Sequence, residues 1–140
     1  MPERGSCEVR AVGRVTSPLT DAAAAPRQGD EGAPEASIEF HPGVLEALAG
    51  VEPGNRVVLL TWLDRADREV LTVHPRGDSG RARAGVFATR SQHRPNPIGL
   101  HPVEVLAIEG SRMRVSGLEA LDGTPVLDVK PVLEREVSER

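Results

Sequence analysis

The sequence predicts an all-β fold, a barrel or a sandwich. Three observations carry that reading. Short apolar segments recur between turns in a chain of 140 residues with 14 Gly and 12 Pro. Only one short segment has helical spacing. No alternation of strands with helices is visible, and no G-x-G-x-x-G follows a strand, so a Rossmann nucleotide site is not supported.

The segments justify themselves in order. "EVRAVGRVTS" (8–17) alternates apolar and polar residues and reads as a strand. "PLTDAAAAPRQGDEGAPEA" (18–36) is rich in Pro, Gly and Ala and reads as a long loop. "SIEF" (37–40) is a short strand. In 41–51, Val44, Leu45 and Leu48 sit at helical spacing, with Gly50 and Pro53 as the stop. "NRVVLLTWL" (55–63) is a nearly continuous apolar run, as a strand buried on both faces requires. Segments 68–75 and 83–89 are further strands. Segments 96–110 and 111–120 form a hairpin turning at Glu109-Gly110-Ser111. Residues 124–133 are the final strand. The length suits one domain over 1–140, with flexible ends at 1–7 and 134–140.

Composition narrows the function. Aromatic residues make up 2% of the chain and Tyr is absent, so Val, Leu, Ile and Ala must build the core. No apolar run reaches the ~18 residues of a membrane helix, and the start lacks the apolar segment of a secretory signal. The lone Cys7 forms no internal disulfide and points to a cytoplasmic protein. His41, His74 and His101 each precede Pro and are expected in loops or at strand edges; with no metal-ligand spacing, no metal is expected. A net charge of -4 and a pI near 5.6 argue against a dedicated non-specific nucleic-acid binder. Yet Arg76, Arg81, Arg83, Arg90 and Arg94 follow one another with Asp78 as the one acid among them.

Three stretches carry candidate chemistry. In "GVFATRSQHRPNPIGL" (85–100), Pro95 and Pro97 stiffen the backbone around Arg94 and Asn96. Arg90 and Arg94 can each clamp a carboxylate or phosphate, and Asn96 offers a donor and an acceptor that suit a purine edge. The alternative is a rigid connection with surface arginines. In "ALDGTPVLDVKP" (120–131), Asp122-Gly123 signals a turn, with Asp122 either capping it or presenting its oxygens at a strand mouth beside Thr124. Asp128 and Lys130, two apart on a strand face, can pair. "APRQG" (25–29) adds Arg27 and Gln28 in the long loop, and Asp64 and Arg65 follow the apolar strand.

Together these three motifs, in this order and spacing, resemble the tRNA threonylcarbamoyladenosine N6-methyltransferases, the TsaA-like or class VIII S-adenosylmethionine-dependent methyltransferases. The resemblance runs from about Val12 to Leu133. It implies a small closed β-barrel of about seven strands with one short helix and long loops. It implies S-adenosyl-L-methionine as cofactor near a homodimer interface, and tRNA as substrate. Carried over motif by motif, it implies cofactor contacts at Pro26, Arg27, Gln28, Asp64, Arg65, Arg90, Pro102, Asp122, Gly123, Thr124 and Pro125. Asp122, Arg90 and Asn96 are then the candidates for catalysis, and Arg94, Asn96 and Lys130 for holding substrate. Asp64 stands where family members often have His, and the last motif runs Lys-Pro-Val where Lys-Pro-Tyr is usual. A small metabolite in place of tRNA as acceptor, or a non-catalytic S-adenosylmethionine-binding module, are the alternatives.

Overall fold

The computed structural model describes residues 4–20, 32–75 and 78–133. Six strands form one sheet: β1 (Gly13–Thr16), β2 (Ala36–Phe40), β3 (Arg56–Trp62), β6 (Ile98–Glu109), β7 (Arg112–Val115) and β8 (Pro125–Pro131). Two short strands, β4 (Thr72–Val73) and β5 (Ala84–Gly85), pair separately. The sheet runs β1-β2-β7-β6-β3-β8 and returns on itself as a closed barrel, because β1 also pairs with β8 at Gly13↔Val126 and Arg14↔Pro125. Every strand of the ring therefore has a neighbour on both sides, which leaves no long edge open to other chains.

Alternation decides which side chains enter the ring. Val15, Ile38, Phe40, Val57, Leu59, Val103, Val105, Met113, Val115 and Val126 point inward and are buried. The aliphatic residues expected from the composition supply most of it, with Phe40 and Met113 added. β6 spans both sides of the structure: Ile98–Glu104 pair with β3, whereas Val105–Glu109 pair with β7. The register shifts between Val105 and Ala107, and again on β3 between Leu60 and Thr61. Each shift bends the ladder and re-aims the next side chain.

Several elements differ from their sequence expectation. The helix is a 3-10 segment, Pro42–Leu48. Proline starts it and seven residues are too few to develop an α ladder, so its backbone bonds run Val44 N to His41 O and Ala49 N to Glu46 O. Val44, Leu45 and Leu48 nevertheless pack against the core as their spacing requires. The strand expected over 68–75 shrinks to Thr72–Val73, and that over 83–89 to Ala84–Gly85 followed by a 3-10 turn, Val86–Ala88. These segments leave the ring, so no inward row of contacts extends them. The hairpin turn at Glu109-Gly110-Ser111 is where the sequence places it, with Gly110 at φ 61. Beside it, Ser111 Oγ donates to Glu39 at 2.6 Å and Arg112 Nε at 3.1 Å. The Ser111 hydrogen bond, then that from Arg112, holds the exposed Glu39 carboxyl below its usual range.

Ring closure depends on one glycine. A Cβ at Gly13 would lie 2.6 Å from the Glu39 carbonyl oxygen and 3.1 Å from the Phe40 Cα, both backbone. Gly13→Ala is therefore expected to cost about 1–3 kcal/mol and to lower Tm by roughly 5–10 °C. A thermal melt with an unchanged Tm would contradict this account of the closure.

Candidate functional site

The pairing registers bring distant segments to one end of the ring. β3 finishes there at Trp62 and β6 begins there at Ile98, the two residues being partners. β8 begins there, since Thr61 pairs with Val126, and β1 finishes there, since Arg14 pairs with Pro125. Residues 63–65, 94–97 and 121–125 are thus gathered by the backbone alone, although 59 residues separate Asp122 from Leu63 (122 minus 63).

The Asp122 turn is built into the ring. Ser17 N donates to Asp122 Oδ1 at 3.0 Å, and Asp122 N donates to the Leu19 carbonyl at 2.7 Å. Gly123 N donates to Val15 O at 2.7 Å, and Val15 N to Thr124 O at 3.0 Å. Asp122 thus bridges to the end of β1, beyond a local turn cap. Gly123 takes φ 84, and a Cβ there would meet nothing, so the turn faces open space. The Thr124 hydroxyl, by contrast, is turned inward and donates to Leu121 O at 2.7 Å.

The Pro-Asn-Pro segment is fixed by one cation. Arg68 donates from Nε to the Pro95 carbonyl at 2.7 Å and from Nη2 to Asn96 Oδ1 at 2.9 Å. Its guanidinium also lies 5.1 Å from the centre of the Trp62 ring. Leu63 N donates to Pro97 O, and Asp67 N to His93 Nδ1, which completes the seam between the two loops. Arg94 turns back on its own loop and donates to the Thr89 and Ser91 carbonyls at 3.0 and 2.9 Å. Arg68 stands in the sequence as an ordinary charged strand end.

The expected site residues therefore divide. Asp64, Arg65, Asn96, Asp122, Gly123, Thr124 and Pro125 lie together at the ring end. Asp64, Arg65 and Arg90 are exposed. Pro102 and Lys130 lie elsewhere, on the outer face of the ring, each paired with Val58. Strand spacing separates them by about 10 Å. Lys130 pairs with Asp128 at 3.4 Å, as the sequence suggests. Pro26, Arg27 and Gln28 fall outside the described residues. His101 is not at a strand edge: it points into the ring and is 4% exposed. A groove of about 540 Å³ opens at the opposite end, between the 3-10 segment and the end of β8, and none of the expected site residues lines it. Among the described residues no group of three His, Cys, Asp or Glu is placed to hold a metal, and no helix is long and apolar enough to cross a membrane.

Residues 14–136 match the model of the tRNA-methyltransferase O N-terminal domain. The chain belongs to this family. Among its relatives is a protein of Methanothermobacter thermautotrophicus, 46% identical over 90% of this chain and 90% of its own length, named as an S-adenosyl-L-methionine-binding protein with the qualifier "probable". An S-adenosyl-L-methionine-binding protein of Archaeoglobus fulgidus is 40% identical over 87% of this chain and 86% of its own length. The crystal structure of TrmO from Pseudomonas aeruginosa superposes with a TM-score of 0.76 at 34% identity, over 94% of this chain and 58% of that one. The chain spans only 33% of another, longer Archaeoglobus relative at 46% identity.

The geometry gives Arg68 a specific task. Arg68→Ala is expected to leave Tm within a few degrees while the Leu63 and Ile98 amides lose at least tenfold in hydrogen-exchange protection. Unchanged protection at both amides would show that Arg68 does not hold the loop.

Proposed function

We propose that this domain binds S-adenosyl-L-methionine at the ring end and transfers its methyl group to N6 of threonylcarbamoyladenosine beside the tRNA anticodon. The observation that carries the reading is the convergence of Asp64–Arg65, the Arg94–Pro97 segment and the Asp122–Pro125 turn at one end of the ring. The family and the names of its members support the cofactor and the reaction class.

The residues fit the cofactor chemically. Asp64 is an exposed carboxylate for an ammonium or sulfonium, Arg90 an exposed cation for a carboxylate, and the open Gly123 turn lets a ligand approach the backbone. The Nδ2 of Asn96 is left to donate while its oxygen is held by Arg68. S-adenosylmethionine, when bound, supplies an activated methyl group. The chain then needs neither a nucleophile nor a metal, only alignment, which is worth up to about 7–11 kcal/mol. As the new N–C bond forms and the S–C bond breaks, the acceptor nitrogen loses a proton. Asp122 is our candidate to receive it, through the oxygen not bound by Ser17. Arg65, exposed beside this end, supplies a cation for anticodon phosphates on an otherwise acidic chain, whereas Arg81 lies 3.7 Å from Asp78 and Arg83 donates to Thr72. Arg94, bound to its own loop, and Lys130, paired with Asp128 on the outer face away from the ring end, contribute less to substrate than the sequence suggests.

A second copy of the chain covers the outer face of β3 and β6 in this reading. Ile98 and Leu100 are 47% and 42% exposed there, next to the half-buried Leu60 and Trp62. tRNA modification places the protein in the cytoplasm.

Two measurements check the proposal. Labelled methyl groups should pass to tRNA from cells that make threonylcarbamoyladenosine and not to tRNA from cells that lack it, with Arg90→Ala slowing transfer by about 100-fold. Equal labelling of both tRNAs, or of neither, contradicts the acceptor. In light scattering, Leu100→Lys should convert a dimer to a folded monomer; a wild-type monomer would remove the second copy.

A further inference from the structure

One buried polar cluster lies outside every role given so far. Inside an otherwise aliphatic ring, Thr61 Oγ1 lies 2.7 Å from His101 Nε2, and His101 Nδ1 lies 2.6 Å from Glu119 Oε1. Thr61 is 0% exposed, His101 4%, and the Glu119 side chain 14%. A carboxylate only accepts, so Nδ1 carries a proton. With the imidazole neutral, Nε2 then accepts from the Thr61 hydroxyl, and each buried polar atom has a partner. No buried side-chain polar atom among the described residues lacks one.

The three side chains have the sequence of contacts of a hydrolytic triad, yet they cannot act as one. Thr61 is wholly buried, and the space above Gly99 is filled by the pair itself: a Cβ at Gly99 would overlap Thr61 Oγ1 and lie 2.6 Å from His101 Nε2. No substrate atom reaches that hydroxyl.

What the cluster does reach is the backbone of the candidate site. Thr61, the last but one residue of β3, lies three residues before Asp64. His101 lies on β6 five residues after Asn96. Glu119 stands three residues before Asp122. Each of the three segments that form the site thus hangs from one member of the cluster. The same cluster sits where the β3–β8 register shifts, beside Leu60 and Thr61, so the ladder alone does not fix the Thr61 side chain. An apolar Val–Leu–Leu set would fill this volume without the desolvation that a buried imidazole and carboxylate demand. Hydrogen bonds add what apolar packing lacks here, a single allowed direction at each contact.

We propose that Thr61, His101 and Glu119 are positioning residues. They lock the three site-bearing segments into one arrangement, so that Asp64, Asn96 and Asp122 face the same ligand. The inference rests on the S-adenosylmethionine site described above. The cluster touches no ligand itself; it sets the geometry of groups that do.

The test compares binding with stability in the full chain, with S-adenosylmethionine as the calorimetric probe. Thr61→Val keeps the shape and removes the hydroxyl that His101 holds. It should weaken binding about tenfold or more, and Thr61→Ser should restore wild-type affinity. Val57→Ala, in the core at the far end of β3, serves as the stability control: it should lower Tm at least as much and leave affinity unchanged. Should Thr61→Val not fold, Glu119→Ala carries the same expectation. Wild-type affinity in folded Thr61→Val, or in Glu119→Ala if that is the folded variant, overturns the inference. So does an equal loss of affinity in Val57→Ala, because the effect then follows stability alone. A wild-type protein that binds no S-adenosylmethionine removes the site reading and this inference with it; a wild type that binds, with variants that match it, removes this inference alone.

Discussion

β1 is held on both sides, by β2 and by β8, at a place where Gly13 lets two backbones come within contact distance. The rest of the architecture follows from that seam. With only four residues, β1 cannot hold the ring by length. It holds by continuing its hydrogen bonds past the strand ends: Val12 N to Val126 O, Val15 N to Thr124 O, Gly123 N to Val15 O and Asp122 N to Leu19 O. Each is worth about 0.5–1.5 kcal/mol net. Three of these four bonds involve the Asp122–Thr124 turn. The turn at the candidate site and the seam that closes the ring are one structure, held by the same hydrogen bonds.

The other side of the site is held differently. There the loops after β3 and before β6 are long, and no ladder reaches their tips. Arg68 ties them, with two hydrogen bonds and a tryptophan face. Below them the Thr61–His101–Glu119 cluster anchors the roots. A surface clamp and a buried one thus act on the same segments from opposite sides. The groove at the far end lies apart from the candidate chemistry.

Much of this was legible in the sequence. The strands β6 and β8 and the turn at Gly110 follow from alternation and turn chemistry, and β3 follows from its apolar run, although only one of its faces is fully buried and the other is half-buried on the outside of the ring. What the sequence did not carry was the meeting of residues 63–65, 94–97 and 121–125, because register between β1 and β8 is a property of closure and not of either strand. The excursions at 68–75 and 83–89 look like ring strands because Val, Leu and Phe alternate in them; Leu71 and Phe87 are in fact 65% and 84% exposed. His101 was misplaced because the proline after it suggested an edge. Its phase gives a better signal: Gly99, His101, Val103 and Val105 all fall on the inward row of β6. A glycine and a histidine in a row of valines mark a polar contact that needs room.

The central claim is that ligand binds at the end of the ring where Asp64, Asn96 and Asp122 meet. Amide chemical-shift mapping of the labelled chain, titrated with S-adenosylmethionine, tests it most directly. The account predicts shifts at residues 63–65, 90–98 and 119–125, with the 3-10 segment at Pro42–Leu48 silent. Shifts clustered on Val44, Leu48 and Val51 around the far groove, or no saturable shifts in folded protein, would contradict it.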